Sequence, residues 1–345
     1  MFIIFYIWRI FERPQTVQGK MKNIQFLLLA VAFLLSEMIH AQETLPVYTD
    51  YLSDNVYILH PAAAGVGNCS KLRLTGRQQW MDSEEFPQLQ TISFHTRVGE
   101  STGVGIALFN DKNGYHSQIG GQITYAYHIN MGSRYDTNQF SFGLSLMAVR
   151  NTLDETEFLL EDPVITQQIN SRNYFNADVG AAYHYEGFFS YLTAKNILMS
   201  ARNLYNDEYE SLNLRRYIAS MGYYFGDETM VQFEPSIMGQ FIERTQEKFL
   251  DANLKVYVPF ENGEVWGGLS YRRGFDVTEY DAPNYFTPLL GVNYRNFMFS
   301  YSYTRQQNDI IFADGGFHQV TLGYNFGCKE KFSRQSACPN LSGGF

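Results

Sequence analysis

After Gln42 the chain has no uninterrupted apolar run of roughly 18 residues, so nothing in that part crosses a bilayer as a single helix. Charge is scarce too. Only 18% of the residues are Asp, Glu, Lys or Arg, and the balance is acidic, with a net charge of -9 and a pI of about 5.3. A basic surface for nucleic acid is thereby excluded. Catalytic signatures are missing as well. The seven histidines make no H-E-x-x-H or similar metal spacing, and no G-x-S-x-G elbow or P-loop occurs. Gly103-x-Gly105 is too short for a nucleotide fingerprint. The expectation is a protein that is not an enzyme and carries no cofactor.

Aromatics and glycine are plentiful instead. With 25 Tyr and 28 Phe the aromatic share reaches 16%, beside 28 Gly and only 10 Pro. That mixture suits sheets whose outer girdles touch membrane and whose walls must bend. Mean hydropathy is -0.25, which is too polar for a helical membrane bundle. A length of 345 residues fits one large barrel or two soluble domains.

Residues Met21–Ala41 have the parts of a secretory signal: Lys22, an apolar core from Phe26 to Leu35, and a small residue at the expected cut after Ala41. Residues 1–20 read either as sequence upstream of a true start at Met21 or as the front of one long signal peptide. Residues 1–41 are therefore expected to be removed. Export without a helical span leaves a secreted soluble protein or an outer-membrane barrel.

The strand pattern decides between these. In Phe317–Phe326, Val320, Leu322, Tyr324 and Phe326 fall on one face, while Gln319, Thr321, Gly323 and Asn325 fall on the other. Similar runs recur from Lys71 onward, about fourteen in all, an even number as in single-chain bacterial barrels. Their connections alternate. Short breaks at 99–102, 186–187, 226–229, 260–263 and 295–296 separate long ones at 81–87, 110–116, 151–173, 198–213, 274–285 and 306–316. A barrel with long outer loops and short periplasmic turns has that order, apart from a rather long inner break at 130–138 and a rather short outer one at 243–248. The fold expected is thus all-β: a single transmembrane antiparallel barrel over residues 71–327, closed by pairing Phe317–Phe326 with Lys71–Gln79. Residues 42–70 do not alternate and carry Tyr48, Tyr51, Tyr57 and Leu59, which suggests a periplasmic or plug-like segment. Residues 328–345 form a periplasmic tail, so both termini are expected in the periplasm.

The polar strand face holds charges that lipid would not tolerate, among them Arg73, Arg77, Asp178, Lys195, Glu234, Asp251, Lys255 and Arg272. These read either as the lining of a selective channel or as a neutralising ion-pair network in a closed lumen. His116, His128 and His184 are isolated, and read as girdle or lumen residues. Glu155, Glu157, Glu161 and Asp162 make one long loop acidic, as a divalent-cation site, a partner site or a solvated loop. Of the three cysteines, Cys69 precedes the first strand and Cys328 follows the last. A Cys69–Cys328 disulfide stapling the seam is expected, with Cys328–Cys338 as the rival.

The run Tyr48, Tyr51, Asn55, Pro61, Ala62, Gly65 resembles the opening signature of the PorP/SprF family of type IX secretion membrane proteins, with His60 where the family's Asn precedes the proline. Arg77, Gln79 and Trp80, followed by Pro87 and Ser93, resemble the family's next pattern. Gly103, Gly105, Asn110, Asp111 and Gly114 resemble its third strand and loop, and Tyr125-Ala126-Tyr127 its fourth strand. The resemblance implies an outer-membrane barrel assisting type IX secretion. Its partners would be the translocon and the periplasmic ring and lipoprotein, or a secreted surface adhesin whose C-terminal domain it receives and retains, as in gliding motility. Outer-membrane lipid surrounds it, and no nucleic acid is involved. Phe158, Tyr205 and Tyr209, on the long loops, are candidate partner anchors. A passive outer-membrane porin is the competing expectation, and a membrane enzyme a third.

Overall fold

The computed structural model describes residues 49–67, 69–79, 87–131, 138–154, 156, 169–198, 215–226, 230–275, 284–307 and 316–328. Residues 1–48, the tail from 329, Trp80, Phe158, Tyr205, Tyr209 and Cys338 lie outside them, as do Glu155, Glu157, Glu161 and Asp162.

Fourteen antiparallel strands close into one barrel. They are β1 (Ser70–Gln79), β2 (Gln88–Val98), β3 (Thr102–Asn113), β4 (His116–Asn130), β5 (Asn138–Asp154), β6 (Ile169–Tyr185), β7 (Phe188–Lys195), β8 (Arg216–Tyr223), β9 (Gln232–Ile242), β10 (Lys248–Phe260), β11 (Gly263–Phe275), β12 (Asn284–Tyr294), β13 (Phe297–Gln307) and β14 (Phe317–Phe326). Each strand pairs with its sequence neighbours, and β1 pairs with β14 in register from Ser70↔Phe326 to Gln79↔Phe317. No edge is left for lipid to solvate, which is the condition for strands to sit in a bilayer.

The alternation read in β14 is its actual orientation. Thr321 is 0% exposed inside the ring, while Leu322 beside it is 50% exposed outside. The same rule holds in β10, where Asp251, Asn253 and Lys255 are buried and Leu250, Leu254 and Val258 are exposed. An apolar exterior of this extent is stable only when a bilayer covers it.

Three connections at one end are two-residue turns, at 186–187, 261–262 and 295–296. Glu186 and Arg295 open theirs at φ 49° and 51°. Most long connections leave from the opposite end. Two of the expected long breaks are shorter than their sequences suggested. β3 runs to Asn113 and β4 starts at His116, leaving Gly114, at φ 57°, and Tyr115 as the turn. Likewise Asn151–Asp154 pair with Ile169–Arg172 across β5 and β6. Outward side chains there include the exposed Asn110, Lys112, Arg150 and Asn173, interspersed with Ile119 and Ile169. Polar residues thus interrupt the hydrophobic period in this part of the wall while its strand pairing continues. As a result the rim is uneven: β5 and β6 have 17 residues each, β7 and β8 only 8 each.

Candidate functional site: the occupied lumen

Residues 49–67 lie inside the ring as a chain of short turns. A 3-10 turn over Asp50–Ser53 ends at Asp54, which is left-handed at φ 58° and donates its N–H to Asp50 O. One helical turn, Val56–Leu59, follows, and Pro61 then starts a second 3-10 turn, Pro61–Ala63. Proline fits at a first turn but cannot continue a helix, so the segment stays folded back on itself.

Its apolar side chains reach different walls. Leu52 packs with Tyr257 of β10, Trp266 of β11 and Leu289 of β12, and Leu59 with Ile218 of β8 and Met238 of β9. Tyr57 and Ala64 meet Ala107 of β3 and Ala126 of β4, while Ala62 and Ala63 meet Ala182 of β6 and Tyr191 of β7. Burying Leu52, Tyr57 and Leu59 stabilises the seating by roughly 1.5–3 kcal/mol each.

Two strand glycines let the backbones touch. A Cβ on Gly103 would stand 2.0 Å from Ala64 O, and one on Gly143 would stand 2.3 Å from Ala62 N and Pro61 C. These atoms belong to backbone, so no rotamer relieves the overlap. Inward-facing glycine is therefore a requirement of the seat. In the sequence Gly103 stands out only as a nucleotide-loop candidate and a family residue, and no motif singles out Gly143. Glycine at inward positions of otherwise regular strands was the available signal.

Polar contacts circle the segment. Tyr51 donates its hydroxyl to Asp251 Oδ2 at 2.7 Å, and Thr49 donates to Gln319 Oε1 at 2.5 Å. The His60 ring sits between Thr193 Oγ1, 2.8 Å from Nδ1, and Ser220 Oγ, 2.9 Å from Nε2, and stacks on Tyr191. Burial, aided by the charge of Lys195, brings the His60 pKa from 6.5 down to about 3. His128 Nε2 donates to Ala64 O at 2.9 Å, Gly65 N–H to His95 Nδ1 at 3.1 Å, and Lys195 Nζ to Ile58 O at 3.1 Å.

Charges on the inner wall come in opposite-sign pairs. Arg272 holds Asp251 through two bonds of 2.6 and 2.8 Å, Lys195 is 3.1 Å from Asp178, and Lys255 is 3.8 Å from Glu234. Lys71 and Arg73 converge on Asp54 of the inner segment, at 3.6 and 3.3 Å. These are the contacts of an ion-pair network. Among the described residues no three His, Cys, Asp or Glu side chains gather as a metal-holding group.

The expected family residues separate into two places. Tyr51, Asn55, Pro61, Ala62 and Gly65 belong to the inner segment, where Asn55 Oδ1 accepts from Ser93 Oγ at 3.2 Å. Arg77 and Gln79 lie on β1 and Asn110 and Asp111 on β3, toward the long-connection end, and Gly114 is in the turn after β3. Arg77 is close enough to act electrostatically on both Asp50 and Asp111. At the opposite end Cys69 and Cys328 are joined by a disulfide, with Cα atoms 4.0 Å apart beside the β1–β14 seam.

Residues 40–324 match the family described as type IX secretion system membrane protein PorP/SprF. The chain belongs to that family. This PorP/SprF member is accordingly an outer-membrane component of type IX secretion. Similar solved structures are outer-membrane barrels. The CymD monoaromatic hydrocarbon channel is 12% identical, with 79% of this chain and 91% of that one covered at a TM-score of 0.48. The translocator domain of autotransporter NalP from Neisseria meningitidis is 11% identical, with 75% and 89% covered at a TM-score of 0.34. CdiB from Acinetobacter baumannii is 10% identical, with 74% and 60% covered at a TM-score of 0.40. No curated protein matches the chain.

Proposed function

We propose that this barrel is a closed docking protein of type IX secretion, and not a conduit. It receives the C-terminal domain of a secreted surface adhesin at its long-connection end and retains it there, as gliding motility requires. The observation that carries this reading is the seated inner segment: backbone against Gly103 and Gly143 and ion pairs on Asp54 leave the lumen occupied by the chain itself. A lumen filled in this way favours a function at the surfaces over passage of solute.

Barrel precedent puts long loops outside and short turns in the periplasm. On that precedent the tall rim of β4 to β6 faces the exterior, and both termini lie in the periplasm. Phe158, Tyr205 and Tyr209 on the long connections are the proposed anchors for the adhesin domain, because buried aromatics carry most of the energy of such interfaces. The tail 329–345 would meet the periplasmic ring and lipoprotein, and residues 21–41 would direct export.

Gentle purification from native membranes, followed by identification of what stays bound, tests the proposal. Recovery of an adhesin C-terminal domain or of type IX components is expected. Recovery of the barrel alone, with steady conductance in planar bilayers, would sink it in favour of a porin.

A further inference from the structure

The outward face between β5 and β10 is not smooth. It holds a recess of about 680 Å³. Ala181, Ala194, Ala219 and Gly239 form its floor, with Phe142, Leu192, Tyr217 and Phe241 standing around them. The register shows why these residues meet. Ala194 pairs with Tyr217, Tyr217 with Phe241, and Phe241 with Lys248, while Leu192, Ala219, Gly239, Leu250 and Arg273 make the adjoining row. β7, β8 and β9 end at Lys195, Arg216 and Ile242, so the recess lies directly beneath the long-connection rim.

Among the described residues that rim carries more cations than carboxylates: Arg215, Arg244, Lys248 and Arg273 against Glu243 and Glu247. Lys248 and Arg273 are exposed on outward positions of β10 and β11, and Arg244 is exposed in the turn between β9 and β10. Arg215 is already engaged by Glu243 at 3.0 Å, and Glu243 also accepts from the Tyr217 hydroxyl at 2.9 Å, so that carboxylate does not cancel the neighbouring cations. An apolar hollow thus opens toward lipid below a cationic border. Acyl chains below and a phosphate above complement both halves at once.

We propose that the recess binds one phosphorylated, acylated lipid of the outer leaflet, with acyl chain against Ala194, Ala219 and Gly239 and phosphate on Lys248 and Arg273. A recess of about 680 Å³ has room for acyl chain, with the headgroup outside it at Lys248 and Arg273. The leaflet assignment rests on the orientation given under Proposed function, but lipid retention is read on the barrel alone and does not depend on the adhesin.

Native mass spectrometry of the full chain, purified in mild detergent from its own outer membrane, tests this. One phosphorylated outer-leaflet lipid per barrel is expected to survive. Its occupancy should fall at least tenfold in Lys248→Glu with Arg273→Glu, and in Ala219→Phe, which fills the recess without touching charge. Leu290→Phe, elsewhere on the lipid-facing wall, should leave it unchanged, and heat-modifiability checks that every variant is folded. Equal occupancy in all variants, a bound species without phosphate, or loss of a co-purifying protein instead of a lipid would overturn the site. A glycerophospholipid with the same sensitivity to the variants would overturn the leaflet assignment.

Discussion

Alanine at both Gly103 and Gly143 should loosen the inner segment, and the structure sets the scale. The new Cβ atoms would meet plug backbone at 2.0 and 2.3 Å, against ordinary contacts of 3.4–4 Å. Overpacking of this kind costs about 1–3 kcal/mol per site. Holding residues 60–65 in place are the bonds from His60 to Thr193 and Ser220, from His128 to Ala64, and from Gly65 to His95. Each contributes about 0.5–1.5 kcal/mol, so their sum of about 2–6 kcal/mol is matched by the two overlaps together and not by one. The readout is maleimide labelling of a cysteine placed at Ala63, which is buried, in a Cys338→Ser background. At 1.4 kcal/mol per tenfold, each single variant should label about tenfold faster and the double variant at least about a hundredfold faster. Gly76→Ala is the control, because a Cβ there meets nothing within 4 Å. A folded double variant that labels no faster than this control would refute the seat.

Three further outcomes follow from the same contacts. Removing the Cys69–Cys328 disulfide, which spans 259 residues, should lower stability by about 5–6 kcal/mol on the loop-entropy account, read as an earlier urea midpoint of the heat-modifiable band. Non-reducing peptide mapping should link these two cysteines and leave Cys338 free, and labelling of all three thiols in the folded protein would contradict it. The seat should weaken in acid, because His60 titrates at about 3 when buried and at 6.5 when released. Above pH 6.5 both forms are neutral; as pH falls toward 3 only the released ring gains a proton, weakening the seat by about 1.4 kcal/mol per unit. Labelling at pH 4.5, with each rate divided by that of the urea-unfolded chain at the same pH because maleimide takes the thiolate, should therefore be about a hundredfold faster than at neutral pH, and His60→Asn should reduce that dependence. Asp251→Ala removes the carboxylate that Arg272 and the Tyr51 hydroxyl share, so it should cost about 3–5 kcal/mol in urea unfolding. Asp251→Leu combined with Arg272→Met should recover most of that loss.

Much of the fold was legible because membrane and lumen impose opposite demands on successive residues. In β14 and β10 every second side chain faces lipid, so the period of two survives intact in the sequence. Legibility ended where polar residues interrupt that period. Asn110, Lys112, Arg150 and Asn173 occupy outward strand positions, and the pattern there imitates a loop. The inner segment could be suspected from Tyr51, Tyr57 and Leu59, but not its seat. Gly103 and Gly143 meet Ala64 and Ala62 only because β3 and β5 return past them, a tertiary coincidence that neither local stretch records.

Deleting the gene and measuring surface display of type IX cargo tests the central claim most directly. The account predicts that one surface adhesin is lost from the cell exterior, that the wild-type chain restores it, and that small-solute uptake does not change. Normal display of all such cargo, with reduced uptake of a small solute, would contradict it.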